Sequence, residues 1–178
     1  MDTEVELVSK CLNHELAAQT ELYNLFASKM YGICLRYAGN KMEAEDIMQN
    51  GFLRVFNSLH QFHFNGSLEG WVKRTIINAA VNFCKHNTRY FHETDLNEGL
   101  AEATFSEDAL SILTTKELLA MIQDLPPGRR TVFNLNIIEG YDHKEIGVML
   151  GISEVTSRTQ LHRAKASIRK RLQELEKV

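Results

Sequence analysis

The sequence is poor in the residues that interrupt helices and in the features that mark membrane proteins and disulfide frameworks. Only two of its 178 residues are prolines, and they are adjacent, at positions 126 and 127. No apolar run approaches the roughly 18 residues that span a bilayer, and the acidic first residues lead into no apolar signal core. The three cysteines are odd in number and widely spaced, which predicts free thiols in a reducing compartment. We therefore expect a cytoplasmic protein with no direct membrane insertion.

The charge of the chain is nearly balanced overall but uneven along its length. The formal net charge is −3 and the isoelectric point is near 6.2, values that by themselves weakly disfavour a nucleic-acid partner. Residues 93–113, however, carry six carboxylates and no lysine or arginine, whereas residues 153–171 carry six cations and one glutamate. A local basic stripe favours an anionic partner whatever the sign of the whole chain.

Apolar residues recur with helical spacing on both sides of the acidic segment, and strand-type alternation is not sustained anywhere. We predict an all-α fold of two small helical domains, residues 1–92 and 109–178, joined by an acidic linker over 93–108. A long surface loop within one domain is the alternative, although structureless loops of that length are uncommon. The predicted helices span about 14–38, 42–61, 67–90, 107–124, 128–138, 143–150 and 154–176. Their apolar faces include Leu25, Phe83 and Leu175.

Residues 141–171 have the pattern of a helix–turn–helix. A short helix capped by Asp142 ends at Gly151, which suits a turn that needs a permissive backbone, and Ser153 can cap the helix that follows. The exposed face of that second helix carries hydroxyls and cations, which suit contacts with bases and phosphates in a major groove. With Val155 and Thr156 at the start of this helix, the DNA sequence that it would recognise cannot be predicted. A plain pair of helices with a solvated basic face is the alternative.

A second polar surface lies before the acidic segment. Arg74, Asn78, Asn82, Lys85 and Arg89 are three or four residues apart and therefore share one face of a helix. An aromatic and polar loop at residues 60–67 precedes it, and a tryptophan follows. Cations that track a backbone, beside aromatic rings that stack on bases, suit single-stranded nucleic acid. The alternative is that the aromatic residues belong to the core.

No catalytic or metal-binding motif stands out. Glu43, Glu45 and Asp46 cluster at a helix start, where acids commonly complement the helix dipole. No glycine-rich phosphate loop or nucleophile elbow appears. Two isolated cysteine–histidine pairs lack the second pair that a closed zinc site needs. We predict no enzyme activity, no cofactor and no metal.

Together these motifs resemble a bacterial extracytoplasmic-function (ECF) sigma factor, and they occur in that family's order. Residues 44–53 resemble the conserved region 2 helix, residues 64–78 the promoter-melting segment, and residues 125–141 with the helix–turn–helix resemble region 4. Gln160 departs from relatives that frequently have arginine there. The resemblance implies that residues 1–92 form region 2 and residues 109–178 form region 4. It implies a transcription initiation factor that binds core RNA polymerase, at the β′ clamp helices and the β flap, and directs it to promoter DNA. It also implies an anti-sigma factor as a partner.

The resemblance further implies roles for individual residues. Docking on the β′ clamp helices would involve Asp46, Gln49, Phe52 and Leu53. Capture and melting of the minus-10 element would involve Asn65, Gly66, Ser67, Trp71, Arg74, Asn78, Asn82 and Lys85. Reading of the minus-35 duplex would involve Thr156, Arg158, Thr159, His162 and Arg163. The acidic linker would run through the polymerase toward the RNA exit path. A stand-alone helix–turn–helix regulator is the alternative, which the amide and aromatic surface of the N-terminal half disfavours.

Overall fold

The computed structural model describes residues 2–86 and 115–175, and over these ranges it consists of helices and connecting turns, without a strand. Contacts divide the chain into two compact units, Met1–Phe83 and Cys84–Val178. The all-α prediction is confirmed, while the predicted linker over 93–108 lies outside the described residues. Within those same ranges no helix is long and apolar enough to cross a bilayer.

Four helices and a short 3₁₀ turn form the described part of the first unit. They are α1 (Asp2–Leu12), α2 (Leu16–Tyr37), α3 (Lys41–Ser58), the 3₁₀ turn Leu59–Gln61 and α4 (Leu68–His86). The side chain of Asn40 caps α3 by accepting a hydrogen bond from the Glu43 N–H at 2.9 Å. Ser67 caps α4, since its Oγ accepts from the Gly70 N–H at 3.0 Å. These caps satisfy donors that have no partner inside the helix, and Ser67 is the predicted one.

The core of the first unit is built from the buried faces of α2, α3 and α4. Its fully buried side chains include Leu22, Met30, Ile47, Val55, Val72 and Ile76. Gly51 brings α3 close to α4, because a Cβ at that position would overlap Cδ1 of Ile76. Two predicted core residues differ from expectation. Leu25 lies at the edge of the apolar stripe of α2 and is 60% exposed, and Phe83 is only half-buried.

Helix α1 is a feature that the sequence analysis missed. It buries Leu7, Val8 and Cys11. Its Glu4 Oε1 accepts a hydrogen bond from the Leu68 N–H at 3.0 Å, across 64 positions of sequence. Glu4 thus supplies a second cap to α4 and places a negative charge at the positive end of that helix. Helix α1 therefore helps to fix the point at which α4 begins.

The second unit contains the other four helices of the described chain. They are α5 (Thr115–Gln123), α6 (Pro127–Phe133), which continues as a π-helical segment over Asn134–Ile138, α7 (His143–Leu150) and α8 (Glu154–Leu175). Pro127 occupies the first turn of α6, where its missing N–H costs nothing. The predicted start of the helix over 107–124 lies outside the described residues.

Helices α6, α7 and α8 supply most of the buried side chains of the second unit. The side chains of Val132, Leu135, Ile146, Ala164 and Ile168 are at most 2% exposed. Leu175, in contrast, is 43% exposed, so the buried stripe of α8 ends one helical turn before the predicted position. All three cysteines of the chain are free and buried, and burial raises the pKa of the Cys34 thiol to about 12.

We expect Glu4→Ala to lower the free energy of unfolding by about 1 kcal/mol, because it removes a charge-assisted cap from α4. Urea unfolding of the full chain measures the change. Glu6→Ala is the matched control, since Glu6 is an exposed residue of the same helix that pairs with Lys10. Equal stability of the two variants would contradict the capping role of Glu4.

Candidate functional sites

One exposed face of α3 carries most of the residues predicted to bind polymerase. Asp46, Gln49 and Leu53 are three and four residues apart and are all exposed, Leu53 by 62%. Met42, 70% exposed, extends the same face and was not predicted. An exposed apolar side chain flanked by polar ones is a feature of protein interfaces.

Phe52 is not part of that surface. It is 3% exposed, and its ring lies 4.7 Å from that of Tyr23 on α2, measured between centroids. Adjacent residues on a helix point about 100° apart, so Phe52 packs in the core while Leu53 faces solvent. Phe52 is therefore a core residue of the free chain, and its contact with a partner stays a prediction.

A cleft of about 370 Å³ lies where the polar loop meets the first turns of α4. It is lined by Gln61, Phe62, His63, Asn65, Gly66, Ser67, Gly70, Trp71 and Arg74. Five of the residues predicted to contact the minus-10 element are therefore brought together here. The wall combines amide, hydroxyl and guanidinium groups with aromatic surface, which is what capture of an unstacked base requires.

The aromatic residues beside this cleft are partly core and partly exposed. Phe62 is buried, with its ring centroid 5.8 Å from that of the half-buried Trp71. Phe64 is 46% exposed, lies 4.8 Å from Phe62 and has a φ of 56°, a conformation rare for an aromatic residue. Phe62 therefore belongs to the core and anchors the loop, as one interpretation of the aromatic residues expects. Phe64 remains accessible for the stacking on a base that the other interpretation expects.

The polar face of α4 continues away from the cleft. Arg74 and Asn78 are exposed, and Asn82 and Lys85 are half-buried. Their spacing of four, four and three residues gives one continuous row along the helix. Arg89, the last residue of the predicted row, lies outside the described residues.

The helix–turn–helix of the second unit is formed by α7 and α8. Asp142 Oδ1 accepts from the Glu145 N–H at 2.7 Å, and Glu145 accepts in return from the Asp142 N–H, which is a capping box. Gly151 ends α7 with a φ of 70° in the left-handed region. Ser153 Oγ accepts from the Thr156 N–H at 3.0 Å and starts α8. The predicted caps and turn are confirmed.

The face of α8 away from the core carries the residues predicted to read duplex DNA. Arg158 is exposed, and Thr156, Thr159, His162 and Arg163 are half-buried. Gln160 is 9% exposed and lies off this face. Val155 is 71% exposed and belongs to the face, although the set of predicted contact residues omits it.

A partly buried hydrogen bond joins the first turn of α7 to α8. The Nδ1 atom of His143 lies 2.9 Å from Oγ of Ser157, whose side chain is fully buried. Burial lowers the pKa of His143 below its ordinary value, with a further contribution from the positive charge of Arg158, while the carboxylates of Glu154 and Asp142 act in the opposite direction. No sequence spacing indicates this pair, because the two residues lie on different helices.

Comparison with known proteins identifies the two units. Residues 22–90 match the family model of Sigma-70 region 2, and residues 115–168 match that of Sigma-70, region 4. The ECF RNA polymerase sigma factor SigW of Bacillus subtilis is 30% identical over 169 residues, which cover 89% of this chain and 90% of that protein. This chain belongs to the ECF sigma factors.

Further matches of this ECF sigma factor are also to sigma factors. The RNA polymerase sigma-H factor of Pseudomonas aeruginosa is 25% identical over 185 residues, covering 98% of this chain and 96% of that protein. The sigma factor RpoE of Bartonella quintana, solved in complex with the anti-sigma factor NepR, shares the fold with a TM-score of 0.50 at 19% identity. That match covers 89% of this chain and 96% of the RpoE chain. The chain is therefore a transcription initiation factor that directs RNA polymerase to promoters, rather than a stand-alone regulator.

We expect the pKa of His143 to lie below 6.5, the ordinary value, in the folded chain. The unfolded chain then binds the extra proton more readily, so the contribution of His143 to stability is present above pH 6.5 and is lost as the pH falls through its lower folded value. An NMR titration of the imidazole measures the pKa, and thermal unfolding between about pH 7 and 5 measures the consequence. His143→Gln should reduce the pH dependence of stability. A titration midpoint above 6.5 would contradict this expectation.

Proposed function

We propose that this sigma factor divides promoter recognition between its two units, and that residues 1–92 and 109–178 act as region 2 and region 4. The observation that supports this division most directly is that the two units carry surfaces of different kinds. The first unit has a cleft with aromatic walls that suits an unstacked base, and the second has a capped helix–turn–helix that suits duplex DNA.

The polymerase-binding surface is the exposed face of α3, formed by Asp46, Gln49 and Leu53, and its partner is the pair of β′ clamp helices. Leu53 supplies apolar area, and the two polar residues set the orientation around it. The second unit contacts the β flap. Residues 93–108 connect the units along the RNA exit path. Their six carboxylates suit a segment that occupies this path before RNA, which is also an anion, enters it.

The minus-10 element is opened at the cleft and along α4. Extrusion of a base costs about a few kcal/mol, and contacts that form only with the extruded base offset this cost. Asn65, Gly66 and Ser67 border the base, and Trp71 provides an aromatic wall. Beyond the cleft, the cations and amides of the α4 face contact the exposed strand; these residues are Arg74, Asn78, Asn82 and Lys85.

The minus-35 element is read in duplex form by α8, through Thr156, Arg158, Thr159, His162 and Arg163. In the free chain Arg158 pairs with Glu154 at 2.5 Å, and both side chains are about half exposed or more. An exposed pair of this kind is worth about 1 kcal/mol or less, so it can open for a phosphate or a base.

An anti-sigma factor is a further partner, an inference that the RpoE–NepR complex supports through the shared fold. The site of action is the cytoplasm, where polymerase and promoter DNA are found together. In this role the chain contributes binding energy and is not an enzyme, and it needs no cofactor.

We expect Leu53→Asp to weaken binding to core polymerase by about tenfold or more, because it places a charge at the apolar centre of the docking face. Fluorescence titration with core enzyme measures the affinity. Leu16→Asp is the matched control, since Leu16 is 78% exposed and lies on α2 rather than on α3. Similar losses in both variants would reject α3 as the specific docking surface, as would unimpaired binding of Leu53→Asp.

We expect the reconstituted holoenzyme to initiate at a specific promoter, and Asn78→Ala to reduce opening of its minus-10 element about fivefold, the effect of one lost hydrogen bond. Permanganate reactivity of minus-10 thymines measures opening, and protection of the minus-35 duplex should persist. Asn24→Ala, at an exposed asparagine of α2, is the control. Tight, specific binding of the promoter duplex by the free chain, without polymerase, would instead support a stand-alone regulator.

A further inference from the structure

The polar groups at the start of α8 are already engaged within the helix. Thr159 Oγ1 donates to the carbonyl of Val155 at 3.0 Å, and Thr156 Oγ1 lies 2.8 Å from Oγ of Ser153. Arg158 is paired with the carboxylate of Glu154. The hydroxyl groups expected to reach bases therefore have partners of their own, and a base acceptor must compete with the Val155 carbonyl for the Thr159 hydroxyl proton.

The apolar side chain among them has no such competing partner. Val155, at the second position of α8, is 71% exposed. Thr159 and His162 follow it four and seven residues later, so the three form one row on the helix face that enters the groove. A valine side chain cannot form hydrogen bonds, and its exposed methyl groups gain only from an apolar partner.

Thymine is the base that offers an apolar group in the major groove, its C5-methyl. A purine at that position would instead place its N7 acceptor against the valine and leave this acceptor without a donor, which is unfavourable. We propose that Val155 packs against a thymine methyl group of the minus-35 element and is a specificity-determining residue. This inference rests on the proposed minus-35 role of α8 and adds to it the chemistry of one base contact.

The test replaces each thymine of the protected minus-35 element, one at a time, by deoxyuridine, which keeps base pairing and removes only the methyl group. The wild-type holoenzyme should lose about fourfold in affinity at one position, as expected for one methyl group returned to water. Val155→Ala should bind the unmodified promoter more weakly by a similar factor and lose nothing further on deoxyuridine. Val155→Thr, which keeps one of the two methyl groups, should retain part of the sensitivity to deoxyuridine.

The matched control is Val148→Ala, because Val148 is 80% exposed but lies on α7. This variant should keep the full response to deoxyuridine. Circular dichroism establishes that the variants are folded, as expected for substitutions at exposed positions.

The outcomes separate this inference from the function on which it rests. A minus-35 element that is protected but insensitive to every thymine replacement would overturn the contact and leave the function intact. Sensitivity that persists unchanged in Val155→Ala would assign the methyl contact to another residue and also overturn the proposal. Failure of the holoenzyme to protect any minus-35 duplex would refute the function itself.

Discussion

The first N–H groups of a helix have no partner within the helix, and each helix bearing a candidate surface begins on a side-chain cap that satisfies one of them. Asn40 holds α3, Ser67 holds α4, Asp142 holds α7 and Ser153 holds α8. Capping residues typically contribute about 1 kcal/mol each. Each cap also fixes the residue at which its helix begins, and with it the position of the candidate residues along that helix.

The packing below these surfaces determines which side of each helix is available. On α3 the absence of a side chain at Gly51 allows the helix to lie close to Ile76 of α4. Of the two residues that follow Gly51, Phe52 enters the core and Leu53 faces outward. The proposed docking face of α3 therefore lies on the side of the helix that the core leaves exposed.

Local patterns in the sequence predicted the local structure well. The helix spacing, the turn at Gly151 and the caps at Ser67, Asp142 and Ser153 depend on residues within a few positions of each other, and the structure confirms them. The edges of the buried helix faces were predicted less well. Leu25 and Leu175 have the right spacing, but no element within residues 2–86 and 115–175 buries them. Contacts between distant segments left no periodic signal, so α1, with its hydrogen bond to Leu68, and the His143–Ser157 pair were missed.

The pairing of Arg158 with Glu154 bears on how α8, in its proposed DNA-binding role, would search a genome. A guanidinium that is neutralised within its own helix attracts random phosphates less strongly than a solvated one, so it adds little to residence on arbitrary sequence. In the proposed minus-35 role, neighbouring contacts would hold α8 in place while the Arg158 guanidinium exchanges this carboxylate for DNA. Opening the pair costs about 1 kcal/mol or less, a small cost once those contacts have formed.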